Sequence, residues 1–445
     1  MNEESVQMRG LLVPSRSMGL KLIVVCALAV FLAIPAVFVH ALVEDRMRRG
    51  AEVTRQISAR SGGQQIFLGP TLIMPLSGLA RDTYVVSAAK ASAVLRTATE
   101  PRRLSLFQVP VFKADLKFDA QFDLTGVPAA VPDGARLDWN RAEIVVGVSD
   151  PRGALADATL TTGGKTTELL PVDIGPGLGG SKLAFFGAPV DEIAKPDAKF
   201  SVSALLRFSG AQRVAVLAWG KDTRLTALGD WPSPGFDGNF LPARYSVTRS
   251  GFSAEWSIPY IARGVRAEGQ SSSLAKLADT ALGISFVEVA DPYQSVSRSL
   301  KYALLFVGLV LLSYFVFEVT TGKRVHPAQY ILVGIAQIIF YLLLLSLSER
   351  TGFGYGFLLA GASTVSLLSI NAAWVFSSRL QGLRAFGCFS LLYGLIYLLL
   401  RMEDEALLVG AVASFLAIAA AMYLTRNIDW YSSVAYSSVE PPRDR

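Results

Sequence analysis

The chain has 445 residues, of which 51% are hydrophobic and only 18% charged, below the ~25% charged of ordinary soluble domains. Its net charge of +6 comes from scattered Lys and Arg not interleaved with aromatics, which argues against nucleic acid as a partner. Two cysteines, Cys26 and Cys388, and two histidines, His40 and His326, all lie in or beside apolar runs. The polar middle therefore has no disulfide, no thiolate or imidazole metal site and no His-dependent triad, and no cofactor is expected.

Residues 1–19 are polar and carry Arg9 and Arg16, and are read as a cytoplasmic N-terminus. The run from Leu20 to Val43, interrupted by Lys21, Pro35 and His40, exceeds the ~20 residues that cross ~30 Å of hydrocarbon at 1.5 Å per residue. Val39-His40-Ala41 resembles a signal-peptidase site, with cleavage after Ala41 as the alternative. A retained anchor is favoured because the run is longer than the ~7–15 apolar residues of a signal sequence. Glu44 to Ala59 reads as a charged helical neck with Arg46, Arg48, Arg49 and Arg55.

Residues 44–299 read as one large domain. Gly69-Pro70-Thr71-Leu72-Ile73-Met74-Pro75 is extended, because proline at both ends blocks a helix and β-branched residues favour a strand. Asp115 to Leu124 alternates polar and apolar, as do Ile144–Val148, Phe200–Phe208 and Phe252–Ile258, the period of a half-buried strand. Turn signals at Val131-Pro132-Asp133-Gly134, Gly175-Pro176-Gly177 and Trp231-Pro232-Ser233-Pro234-Gly235 punctuate them. The pattern predicts a mainly antiparallel β domain of layered sheets, with one short helix over Ser271–Leu282.

From residue 300 to 425 the chain is almost continuously apolar. Five spans are predicted: Leu300–Phe317, Ala328–Leu347, Phe353–Phe376, Leu383–Leu400 and Ala406–Leu424. Tyr302, Tyr330, Trp374, Tyr423 and Trp430 lie near their ends, as interfacial anchors do. The fold class is thus an α-helical membrane protein of six transmembrane helices, one N-terminal and five C-terminal. A large β domain is inserted between the first and second, and 426–445 form a tail. Arg9, Arg16, Lys323, Arg324, Arg379, Arg384, Arg426, Arg443 and Arg445 fall on one side. The opposite short loops hold only Arg350 and Arg401, the latter outvoted by Glu403, Asp404 and Glu405. By the positive-inside rule both termini are cytoplasmic and the β domain is periplasmic. Arg46, Arg48 and Arg49 count against this, but a long domain can cross despite its charge.

Three membrane motifs carry a family resemblance: Lys301 to Leu309, His326 to Gly334 and Phe340 to Glu349. In the middle domain Gly69-Pro70, Trp231-Pro232-Ser233-Pro234, Gly238 to Pro242 and Gly251 to Trp256 add to it. Together they resemble the CreD family of bacterial inner-membrane proteins, over most of the chain from the first span to about Thr425. The resemblance implies a plasma-membrane location and a role in cell-envelope integrity, with induction by a two-component system under carbon-source or β-lactam stress. It brings no catalytic residues. Gln337, where the family often has an aliphatic residue, and the strand region 147–183 depart from the pattern.

Within the spans the strongest polar signals are Gln337 and Asn371, read as interhelical hydrogen-bonding groups. No Asp, Glu, Lys or Arg is read in the span interiors; Glu318, Glu349 and Arg350 are placed at solvated edges. His326-Pro327 reads as a helix start. Small residues from Gly352 to Gly361 and from Gly410 to Ala417 suit close packing within one chain, with a homo-oligomer as the alternative. The segment holding Trp231, Pro232, Pro234, Phe236, Asp237 and Phe240 is a candidate interaction loop or, equally, a rigid loop completing the core. Asp150 and Asp237 show no partner for acid–base work and read as turn residues.

The sequence therefore points to a non-enzymatic inner-membrane protein of envelope integrity or stress response. Its periplasmic domain would contact an envelope protein, glycan or lipid, with the bundle in the lipid bilayer as anchor or relay. The alternative is a transporter or lipid-handling protein with a cavity lined by Gln337 and Asn371.

Overall fold

A computed structural model of the chain describes residues 18–77, 83–104, 107–127, 135–174, 178, 183–286, 292–401 and 406–426. The N-terminal arginines, the turns at 131–134 and 175–177, Glu403, Asp404, Glu405, Trp430, Arg443 and Arg445 lie outside the described residues. The chain divides into two compact units, 49–289 and 1–48 with 290–445.

The first unit is β-rich. In chain order its strands are β1 (Gln65–Ser77), β2 (Thr83–Val86), β3 (Lys90–Leu104), β4 (Phe107–Asp123), β5 (Arg136–Leu137) and β6 (Glu143–Val148). There follow β7 (Thr159–Thr162), β8 (Lys165–Glu168), β9 (Leu170–Val172), β10 (Ala184–Pro189), β11 (Lys199–Ala211) and β12 (Arg213–Leu217). The last six are β13 (Asp222–Gly229), β14 (Pro234–Gly238), β15 (Arg244–Thr248), β16 (Gly251–Ile258), β17 (Glu268–Gln270) and β18 (Ala281–Phe286). One sheet runs β14-β18-β12-β1-β6-β10-β9, with β2 and β5 also paired to β1 and β17 paired to β2; the other runs β15-β16-β13-β3-β4-β11-β7-β8. Pairing is mainly antiparallel, and two pairs, β1 with β12 and β3 with β13, are parallel.

Alternation does what the pattern requires in β4, where Phe112, Ala114, Leu116, Phe118, Ala120 and Phe122 are buried and the residues between them carry the charge. In β6 the pattern understates burial: Val145 and Gly147 are buried as well as Ile144, Val146 and Val148, because this interior strand is covered on both faces. The two sheets share one apolar core. Phe118 meets Trp219 edge-on at 4.9 Å, Phe67 meets Phe208 at 5.4 Å, and Phe112 meets Phe286 at 5.0 Å. Each such ring removes ~150–250 Å² from water, worth about 4–6 kcal/mol before the entropy of ordering it is set against it.

Pro70 lies inside β1, an interior strand, where proline would normally cost a ladder bond. The β1–β6 register shifts between Leu68 and Thr71, so a bulge takes up the missing donor. The Trp219 ring covers Gly69, where any Cβ would fall 2.4 Å from it. The helix predicted over Ser271–Leu282 is a 3-10 segment, Ser271–Thr280, that gives way to β18 at Ala281; Leu274 and Leu277 tie it to the core.

The second unit is helical. Helices α1 (Met18–Phe31) and α2 (Ala33–Arg60) form a nearly continuous rod, and the division between the units falls within α2. The interruption at Leu32 lies three residues before Pro35, which has no N–H to complete the ladder. Leu32 is buried and packs on Gly334, where an added Cβ would sit 2.1 Å from it. A short α3 (Tyr260–Arg263) belongs to the β-rich unit. After α4 (Pro292–Lys301) come α5 (Ala303–Thr321), α6 (Pro327–Thr351), α7 (Phe353–Val375), α8 (Arg379–Arg401) and α9 (Ala406–Thr425), within a few residues of the predicted spans. Gly322 ends α5 in the left-handed conformation (φ 66°), which glycine adopts without penalty. His326 caps α6, its Nδ1 accepting from the Ala328 N–H at 3.2 Å with Pro327 at the first position.

Candidate functional sites

The helical unit hides polar groups and exposes apolar ones, so its candidate sites are internal. The largest correction to the sequence reading is Glu318. It is not solvated at an edge but 1% exposed, and it is ion-paired with Lys21 of α1. Its Oε1 also accepts from the Val325 N–H at 3.0 Å, and its Oε2 from the Tyr330 hydroxyl at 2.7 Å. Lys21 in turn donates to the Val325 carbonyl at 2.6 Å. One carboxylate thus ties the first helix, the end of α5, the following loop and the start of α6 together. Leaving such a group unpaired in hydrocarbon would cost several kcal/mol. The signal in the sequence was a lone cation near the start of one span and a lone anion near the end of another.

A second polar cluster marks the other end of the bundle. Glu349 accepts from the Tyr293 hydroxyl at 3.1 Å and lies 3.7 Å from the Arg46 guanidinium. From Lys21 to Arg46 the α1–α2 rod rises about 37 Å at 1.5 Å per residue. The two clusters therefore bracket a length close to the ~30 Å hydrocarbon core.

The structure does not bring Gln337 and Asn371 together. The Tyr314 hydroxyl reaches Asn371 Oδ1 at 3.0 Å and the Leu368 carbonyl at 2.8 Å, and Asn371 Nδ2 donates to Gln329 Oε1 at 3.2 Å. Gln337 Oε1 accepts separately from the Tyr393 hydroxyl at 3.2 Å. Each amide thus bridges helices in its own chain of bonds. On the same face of α6 as Gln337, three buried polar atoms, Gln337 Nε2, Tyr341 Oη and Ser348 Oγ, find no partner among the described residues.

In the β-rich unit the proposed loop is not a free loop. Pro234, Phe236 and Asp237 form β14, paired along its length with β18. Trp231, Phe236 and Phe240 pack against the core; Phe236 lies 5.9 Å from the Trp256 ring, and Trp231 lies 6.3 Å from Phe286. Pro232 is exposed. Asp237, which showed no partner in the sequence, is held by Arg213, with Nε and Nη2 at 2.8 and 2.7 Å from its Oδ1. Asp150 caps the turn Pro151–Gly153, and its hydrogen bonds to Arg152 hold its carboxyl below the usual range. What the segment leaves in water is Leu241, beside the wholly exposed strand β15 with Tyr245 and Val247.

Sequence reading missed Arg263, a buried guanidinium that donates to Ser87 Oγ at 2.9 Å and the Gly220 carbonyl at 3.2 Å. Burial pushes its pKa down to about 10. It pins the turn after β2 to the turn before β13, and nothing in its sequence surroundings marks it as internal. Among the described residues no three His, Cys, Asp or Glu side chains gather as a metal site.

These features define a polytopic membrane protein, with one apolar helix ahead of a β-rich insertion and five after it. The family model described as Inner membrane protein CreD matches residues 17–431, and the chain belongs to that family. It is 28% identical over 422 residues to Inner membrane protein CreD of Escherichia coli (strain K12), covering 90% of this chain and 91% of the relative. Among solved structures, a Legionella pneumophila protein named for nutrient binding aligns at 10% identity and TM-score 0.33, over 61% of this chain and 89% of its own. An M1 zinc metallopeptidase of Deinococcus radiodurans aligns at 9% identity and TM-score 0.20, over 76% and 93%. At those scores neither carries an argument about fold or function.

Proposed function

We infer that this inner-membrane protein supports cell-envelope integrity by interaction rather than catalysis. The β-rich domain lies on the periplasmic side and receives an extended segment of an envelope protein, while the helical bundle anchors or relays. The observation that carries the reading is the edge strand β15. Of the edge strands among the described residues, β14 begins with proline, β9 contains Pro171, β8 carries Lys165 and Glu168, and the two- and three-residue β5 and β17 carry Arg136 and Glu268, all devices that discourage further pairing. β15, Arg-Tyr-Ser-Val-Thr, has no proline and a single charge, Arg244 at its first residue, and is exposed at all five residues. Tyr245 and Val247 pair in register with Ala254 and Phe252, both buried on the core side. They therefore face the interior side of the sheet, yet remain 66% and 43% exposed. An incoming strand would complete the ladder and cover them, and free backbone N–H and C=O groups select a polypeptide over a glycan.

The membrane orientation rests on charge. Lys323 donates to the Phe376 carbonyl, so the loops with Lys323, Arg324 and Arg379 meet at one end of the bundle. That is also the end where Lys21 binds Glu318, as a shared cytoplasmic face requires. A phosphatase fused after Ala290 should be active in the periplasm. A photocrosslinking residue at Tyr245 or Val247 of the full-length protein, in cells under β-lactam stress, should capture a discrete polypeptide. Capture at other exposed positions but at neither of these would overturn the reading.

A further inference from the structure

We propose that the tip of the β3–β4 hairpin is a docking surface for anionic phospholipid headgroups, on the leaflet where α2 leaves the bilayer. The apolar run ends at Val43, but the helix continues to Arg60. Gly50 is therefore seven residues, about 10 Å, beyond the run. The headgroup layer fills about 5–7 Å of that distance, and the remainder is shorter than the ~8–10 Å over which salt screens a charge. The hairpin lies along this stretch of helix. Ile57 packs on the cluster of Val109, Val111 and Ala211, and the Phe107 ring lies against Gly50, where an added Cβ would fall 3.0 Å from it. Following β4 back to its first residue thus leads down α2 toward the membrane. Leu104 pairs with Phe107 in the ladder, which puts the end of β3 at the same level. Ser105 and Leu106, between the two strands, lie outside the described residues and carry no charge.

The hairpin end is cationic and partly apolar. Arg102, Arg103 and Leu104 are all exposed, Leu104 by 43%. On α2 Arg48 is paired with Glu44 and Arg55 with Glu52, and on the hairpin Glu100 is paired with Lys113. Among the described residues no carboxylate forms an ion pair with Arg102 or Arg103. Gln108, the ladder partner of Arg103, braces it with its side-chain oxygen as acceptor. Two such guanidinium groups fit any anion, and the continuous helix selects the one that always lies within reach. Lipid phosphate takes charge-assisted, forked hydrogen bonds from guanidinium, and basic side chains beside a transmembrane helix are drawn to anionic leaflets. A net-negative headgroup is favoured over a zwitterionic one, whose own ammonium competes for the phosphate. This surface is separate from β15, so either proposal can fail without the other.

The test uses the full-length protein in nanodiscs with phosphatidylglycerol as the minor lipid among phosphatidylethanolamine. A photocrosslinking residue replaces Leu104, and its adducts are identified by mass spectrometry. Lipid should be captured there, with phosphatidylglycerol enriched over its share of the bilayer. Arg102→Gln should lower that enrichment about fivefold, the equivalent of one cation at a lipid surface. Adding Arg103→Gln should bring it down to the bilayer's own ratio. Both side chains are exposed, so the thermal transition of the β-rich unit should not move. The same photocrosslinker at Lys113, also exposed but six residues and about 20 Å farther along β4, should capture no lipid. No lipid on Leu104, equal capture at Lys113, or unchanged enrichment in the double arginine variant would each overturn the proposal. So would capture of a protein segment at Leu104 in place of lipid.

Discussion

The two units solve opposite solvent problems with the same side chains. In the β-rich unit Phe118, Trp219 and Phe67 are fully buried, while Lys113, Asp115 and Lys117 stand outside. In the helical unit Glu318 and Gln337 are inside, while Leu358, Leu391 and Phe415 are more than 60% exposed. Water drives the first arrangement through the hydrophobic effect. In a bilayer that force is absent between helices, and packing and buried polar bonds must hold them instead. Mutations should therefore hurt most at apolar contacts in one unit and at polar contacts in the other.

The largest effect is expected at Trp219, which fills the space between Gly69 and Phe118. Trp219→Ala should cost about 3–5 kcal/mol, read as loss of the β-unit transition in thermal unfolding of the full-length protein followed by near-UV dichroism. A loss no larger than that of an exposed Leu would show that the sheets can close over the gap, and the contrast between units would collapse.

Next comes the buried ion pair. Lys21→Met leaves Glu318 without its cation and should cost about 3 kcal/mol, while Lys21→Met with Glu318→Gln, which removes the charge but keeps a carbonyl acceptor for the donors at Val325 and Tyr330, should recover most of that. Guanidinium-free thermal unfolding in nanodiscs gives the comparison. If the double variant is as unstable as the single one, the pair is held by something other than charge.

The intramembrane amides should matter less, and unequally. Asn371→Leu takes the donor from Gln329 and one of two acceptors from the Tyr314 hydroxyl, which keeps the Leu368 carbonyl, and should cost about 1–2 kcal/mol. Gln337→Leu loses one bond but also removes the unpartnered Nε2, so its cost should fall below about 1 kcal/mol. Because the two bond chains share no member, the double variant should be additive. Coupling between them would point instead to a shared cavity, as a transporter needs.

This contrast also explains what the sequence could be made to say. Spans and the strands around β4, β11 and β16 were legible because burial on one side of each leaves a period in the residues. β6 and β1 hide theirs by being covered twice. Glu318 was misplaced because a position near a helix end reads as solvated until the partner helix is known. The aromatics from Trp231 to Phe240 were open to two readings because an aromatic run looks the same whether it meets a partner or its own core. The edge strand β15 was not singled out at all, since exposure at a sheet edge depends on strand order, which no local pattern carries.

The smallest expected effect lies on the wet face of the β-rich unit, at the Asp123–Lys199 pair at the end of β4 and β11. Their side chains are 2.9 Å apart. Hydrogen bonding to Lys199, then to Thr125, lowers the Asp123 pKa from 3.8 to about 2. A carboxylate with a depressed folded-state pKa stabilises the fold above its unfolded value and loses that contribution as pH falls through the folded one. The window is therefore about pH 4 down to pH 2, and the contribution is small because both side chains reach solvent and are screened by salt. Lys199→Gln should lower thermal stability slightly at neutral pH, leave it unchanged near pH 2, and move the Asp123 midpoint up toward its ordinary value. An acid titration of unfolding at low ionic strength, wild type against variant, measures all three. Parallel curves across the whole range would mean that this pair contributes nothing, and that the solvent face of the domain is as indifferent to single charges as the lipid face of the bundle is to single leucines.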